Sequence, residues 1–129
     1  MAEIPADLTD LLENANVGHL ATVRPDGFPQ VEPMWFLFED GVLKFTHTTK
    51  RAKYRNLQGN PGMALVVPDP ADPYRFIEAR GRLTEAVPDP TGAFYQVLGA
   101  RYGTPDTPAP PDSADRVILV MSIEKVIRK

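Results

Sequence analysis

Apolar and polar positions alternate along most of this chain with the two-residue period of β-strands, broken by shorter stretches with helical spacing. Leu8, Leu11, Leu12 and Ala15 recur at helical intervals and predict a short helix over residues 5–16, opened by Pro5 and stopped at Gly18. Strand-like runs follow. His19–Arg24 leads into the turn residues Pro25-Asp26-Gly27, Pro29–Glu39 forms a second strand, and Asp40-Gly41 turns tightly into Val42–Thr48. A helical stretch over Lys50–Gln58 ends at Gly59-Asn60-Pro61. Met63–Val67 is the next strand, Pro68–Pro73 a loop, and Arg75–Ala86 a long strand in which Gly81 marks a bulge or bend. Thr91–Arg101 has the spacing of a further helix with Phe94, Val97 and Leu98 inward. Four prolines within 105–111 predict an extended loop, and Val117–Ile127 closes the chain.

The strands depart from the simple pattern in one respect. A sheet with one wet face alternates apolar and polar residues, yet here Val31, Trp35 and Leu37 lie opposite Met34, Phe36 and Phe38. The last strand sets Val117, Leu119, Met121 and Ile123 against Ile118 and Val120. One face can fill a barrel; the other needs a helix, a cofactor or another subunit.

Length adds that the 129 residues suit a single domain spanning 1–129. Without cysteine there is no disulfide framework, thiolate metal site or cysteine nucleophile. No apolar run approaches the roughly 20 residues of a membrane span, and the N-terminal residues lack the regions of a signal peptide, so a cytoplasmic protein without membrane partners is expected. The net charge of −3 disfavours nucleic-acid binding. Two histidines without ligand spacing predict no metal site, and no serine-nucleophile, dinucleotide or Walker motif appears.

Against this acidic background, four of the 14 basic residues fall within 50–55, as Lys50, Arg51, Lys53 and Arg55. They open a predicted helix, where cations oppose the macrodipole at about 0.3–1 kcal/mol each. A bound phosphate there would meet both the cations and the free N–H groups; a solvated basic turn is the alternative. Thr46, His47 and Thr48 precede the cluster at a strand end and offer polar groups to a ligand.

The ordered set Pro33-Met34-Trp35, Arg51-Ala52-Lys53-Tyr54-Arg55-Asn56-Leu57, Asn60-Pro61, Pro73-Tyr74-Arg75 and Arg80-Gly81-Arg82 resembles the flavin/deazaflavin oxidoreductases of the pyridoxamine 5′-phosphate oxidase-like superfamily, most of all the coenzyme F-420-dependent branch. The resemblance covers nearly the whole chain. It implies a mainly β protein with short helices, a six-stranded split β-barrel of the FMN-binding type, working as a homodimer with cofactor grooves between subunits. It further implies that Arg51 and Lys53 hold the cofactor phosphate or tail, that Thr46, His47 and Thr48 line the ring and ribityl chain, and that Lys50 lies nearby. Among Tyr74, Arg75, Arg80 and Arg82, Arg75 is the preferred cofactor contact. Trp35 and Phe36 are expected to frame the substrate pocket, although Trp35 also suits a barrel or interface position. The chain ends on Val126-Ile127-Arg128-Lys129, without the Trp…Arg-Leu element of true pyridoxamine phosphate oxidases, which disfavours vitamin B6 oxidation.

The expected activity is hydride transfer from F-420 to a small planar organic substrate, with no catalytic acid or nucleophile identified. An FMN-dependent oxidoreductase and a non-catalytic flavin- or deazaflavin-binding protein remain alternatives.

Overall fold

The strand period is realised as eight antiparallel strands in a computed structural model that describes residues 2–128, Met1 and Lys129 lying outside the described residues. In chain order, a 3-10 turn at Ala6–Leu8 leads into α1 (Thr9–Glu13), β1 (Gly18–Val23), β2 (Pro29–Met34), β3 (Leu37–Glu39) and β4 (Val42–Thr48). Then come α2 (Ala52–Gly59), β5 (Gly62–Asp69), β6 (Asp72–Pro88), α3 (Ala93–Arg101), a 3-10 turn at Ser113–Asp115, β7 (Arg116–Met121) and β8 (Lys125–Arg128).

The strand order is β2-β1-β5-β6-β7-β4-β3, with β8 also on β6. The two edges, β2 and β3, are consecutive in sequence and separated only by Trp35 and Phe36. Three Cα steps span about 11 Å at most, so the sheet curls until its edges meet at one corner. Among the described residues no hydrogen-bonded ladder closes that seam. Inside the curl Leu20, Leu43, Phe45, Leu65, Ile77, Leu119 and Met121 are fully buried, with Leu11 and Leu12 of α1 packed into the same core.

Six predicted strands become eight because two of them break. The predicted run Pro29–Glu39 parts at Phe36, whose backbone leaves the sheet for α3: its N–H donates to the Tyr102 hydroxyl (3.1 Å) and its carbonyl accepts from Arg101 Nε (2.9 Å). Arg101 also donates to the carbonyls of Leu12, Glu13 and Asn14, so a cation meets the unpaired carbonyls at the end of α1. That helix ends at Glu13 rather than reaching residue 16, because Asn14 is extended.

The predicted closing strand parts at Ser122–Glu124, opposite Gly81. Ser122 and Glu124 donate their N–H groups to the carbonyls of Arg82 and Arg80, and the Ser122 carbonyl folds onto Gly81. A Cβ at Gly81 would lie 1.8 Å from that oxygen. The bend expected at Gly81 thus reflects a close approach of two backbones, with the pairing register shifting just beyond, between Leu83 and Glu85.

Other boundaries moved as well. The loop expected at Pro68–Pro73 is a tight hairpin joining β5 to β6. Val97, expected inward, is 50% exposed, while Phe94 and Leu98 are buried. The proline-rich segment after α3 folds back on it: Pro110 sits against Gly92 and Thr107 against Gly99. Among the described residues no helix is long and apolar enough to cross a membrane.

Gly81→Ala should cost about 1–3 kcal/mol or more, because the new methyl collides with backbone that cannot yield cheaply. Urea unfolding should show a lower midpoint than wild type; an unchanged midpoint would contradict the close approach.

Candidate functional site

A groove of about 400 Å³ opens at the seam, lined by Glu32, Pro33, Met34 and Trp35 from the β2 edge, Thr46 and His47 from β4, Arg51 and Lys53 from α2, Tyr95 from α3 and Arg116 from β7. Its composition follows from an unusual strand. On β2 the half-buried residues are Gln30, Glu32 and Met34, whereas Val31 between them is 63% exposed. The inward face of β2 is therefore largely polar.

That polar face meets the buried polar face of α2. Asn56 Nδ2 donates to Gln30 Oε1 and to Thr22 Oγ1, both at 3.1 Å. Gln30 Nε2 donates to Glu32 Oε1 (2.6 Å), and Lys53 Nζ donates to Glu32 Oε2 (3.1 Å) and to Met34 Sδ (3.2 Å). The Lys53 side chain is 1% exposed and that of Glu32 is 45% exposed. The hydrogen bonds from Gln30 and Lys53 hold the Glu32 carboxyl below the usual carboxylate range.

Arg51 stands at the N-cap of α2 with extended backbone and no side-chain cap. It lines the groove and takes no side-chain hydrogen-bond partner among the described residues. The first N–H groups of the helix therefore open beside two cations.

His47 is buried, and its Nε2 has no hydrogen-bond partner among the described residues. Burial, reinforced by the charges of Lys53 and Arg51, pushes its pKa down to about 4, so the imidazole is neutral at pH 7. A buried polar atom left unpaired costs about 1–3 kcal/mol, which a ligand group meeting it would recover. Arg116, also buried, donates from Nε to Asp112 Oδ1 (3.0 Å) and from Nη1 to Thr46 Oγ1 (3.4 Å), with Tyr95 under its guanidinium at 4.8 Å.

Of the residues singled out in the sequence, Trp35, Thr46, His47, Arg51 and Lys53 meet in this groove. Trp35 lies flat on Tyr102, ring centres 4.9 Å apart and planes 7° apart. Three others line no part of it. Thr48 is buried, and its hydroxyl accepts the Lys50 N–H (3.2 Å); Lys50 is exposed. Phe36 is wholly buried in the core, because its backbone is drawn inward by Arg101 and Tyr102.

Arg75 lies apart from the groove as well. It ties β6 to α1, donating to the Asp10 carboxylate, to Asp69 Oδ2 (3.0 Å) and to the Asp7 carbonyl (2.7 Å). Arg80 and Arg82 pair with Glu78 and Glu124. Glu32, Tyr95 and Arg116 were not foreseen as site residues. The alternation of Gln30, Glu32 and Met34 on a strand beside a helix bearing Lys53 and Asn56 was a readable sign of Glu32. Nothing local announced Arg116, which reaches the groove only through the pairing of β7 with β4.

The fold is thus an open antiparallel sheet with a cationic groove at its seam, beside the start of a short helix. Residues 4–129 match the family model described as pyridoxamine 5′-phosphate oxidase, and the chain belongs to that family. It is similar to a solved protein named F420 reductase, 54% identical over 96% of this chain and 98% of that one, with a TM-score of 0.92. A conserved hypothetical protein from Mycobacterium tuberculosis (21% identity, 99% and 85% coverage, TM-score 0.76) and General Stress Protein 26 from Bacillus anthracis (22%, 94% and 89%, 0.67) share the fold. No curated protein matched the chain.

The depressed His47 value has a testable sign. The unfolded chain binds this proton at the ordinary 6.5 and the folded chain only near 4, so between those values unfolding takes up a proton. The stability is fully present above pH 6.5 and is lost as pH falls toward 4, by about 3 kcal/mol. His47→Gln should flatten the fall in unfolding free energy over this window by about that amount; an unaltered slope would contradict the assignment.

Proposed function

We propose that the groove binds the phosphate-bearing tail of coenzyme F-420 and that the protein is a deazaflavin-dependent oxidoreductase acting on a small planar organic substrate. The observation that carries this reading is Lys53: an almost wholly buried ammonium, with Arg51 and the uncapped start of α2 beside it, faces a groove large enough for an anionic ligand. The donor set fits the group. Two cations and free helix N–H groups suit a phosphate, and the unpaired Nε2 of His47 supplies a further polar contact. The strong similarity to a protein named F420 reductase over nearly all of both chains supports the deazaflavin over FMN.

A reduced deazaflavin, when bound, supplies a hydride from C5 of its ring. The work of this chain is to bind, orient and exclude water. Trp35, fixed by its stack on Tyr102, gives the groove a flat apolar wall. His47, neutral at pH 7, accepts or donates a hydrogen bond without adding charge.

A homodimer belongs to the same proposal. Val31, Ala21 and Ala64 are direct cross-strand neighbours on β2, β1 and β5, and they form an apolar strip with Val66 on the outer face. Phe28 is exposed at the nearby turn, and a second copy would cover this surface. Light scattering should read a mass twice that of the chain, and Val31→Lys should shift it toward the monomer; a monomeric wild type would sink this part.

Arg51→Ala together with Lys53→Met should weaken F-420 binding at least about a hundredfold, since each charge-assisted contact is worth about 1.5–3 kcal/mol. Isothermal titration reads this directly, with circular dichroism confirming the fold. Affinity equal to wild type would overturn the site.

A further inference from the structure

Glu32 is an acid in an anion site, and its position is held from two sides. Lys53 Nζ and Gln30 Nε2 each donate to one of its oxygens, at 3.1 and 2.6 Å, and Gln30 is itself held by Asn56. The carboxylate cannot swing away without leaving the Gln30 amide N–H unpaired and a buried ammonium with only the Met34 sulfur. An anion that reaches Lys53 therefore comes close to Glu32 as well.

The charges around this point can be counted from every wall. Arg51 and Lys53 on α2 each bring one positive charge, and Glu32 on β2 brings one negative. Arg116 on β7 is offset by Asp112. His47 on β4 is neutral near pH 7, and Tyr95 of α3 is an uncharged phenol beneath Arg116. The groove thus carries a net charge of about one positive unit. A monoanion neutralises it. A phosphate monoester, with about 1.5 to 2 negative charges at pH 7, leaves excess negative charge in a partly desolvated site beside a fixed carboxylate.

We propose that Glu32 determines which phosphate the groove accepts, favouring a phosphodiester monoanion over a phosphomonoester dianion. This rests on the cofactor reading above, and it deepens it. F-420 carries its phosphate as a diester and FMN as a monoester, so one carboxylate on β2 separates the two cofactors by the charge on the phosphate group itself.

The test compares wild type with Glu32→Gln at pH 7.5, titrated with F-420, FMN, diphenyl phosphate and phenyl phosphate. Trp35, the only tryptophan and a lining residue, reports binding by fluorescence. The amide should tighten the two monoesters by about tenfold and the two diesters by no more than about threefold, the difference being the removed repulsion of one extra charge. Equal shifts for both classes, or unchanged monoester affinity, would overturn the proposal. If the two ring-bearing cofactors fail to bind wild type while the phenyl esters bind, the cofactor reading falls and the ester pair still decides the role of Glu32. Failure of all four ligands to bind overturns both.

Discussion

A buried ammonium is the costliest group in this fold, and the rest of the site is arranged around it. Taking a lysine charge out of water costs several kcal/mol even after relaxation, and the Lys53 side chain is 1% exposed. One half-exposed carboxylate and one methionine sulfur meet it. That is thin compensation for a charge at such depth, and an arriving anion would add to it. The network behind the ion pair, from Glu32 through Gln30 and Asn56 to Thr22, joins β2, α2 and β1. It ties α2 to both strands, with Arg51 at the N-cap of that helix.

The seam supplies the space. Because β2 and β3 are consecutive but sit at opposite edges of the sheet, the two-residue link between them pulls the edges together without pairing them. Arg101 and Tyr102 hold that link by taking the Phe36 backbone into hydrogen bonds with α3. One side chain of the link, Phe36, fills the core; the other, Trp35, faces the groove. The same break that ends the strand therefore creates the wall of the site.

Much of this was legible in the sequence, and the failures have physical causes. Strand and helix periods placed most elements, and two of the cations of 50–55, Arg51 and Lys53, line the groove at the seam. The breaks at Phe36 and Ser122 were not legible, since each depends on partners far along the chain: Tyr102 for the first and Gly81 for the second. Arg75 stands away from the groove for a similar reason. Its motif is local, but the acids that claim it include Asp10, 65 positions away. Glu32 is hard to single out from sequence because a strand's inward face is expected to be apolar, and here it is polar to match α2. Arg116 required the β4–β7 register, which no local pattern encodes.

The most direct test of the central claim is a crystal structure of the complex with F-420. The account predicts the phosphorus within hydrogen-bond reach of Lys53 Nζ and the Arg51 guanidinium, with Glu32 still paired to Gln30 and the ring system in the seam beside Trp35. A phosphate bound elsewhere, with Lys53 still buried against Glu32 and untouched by the ligand, would contradict it.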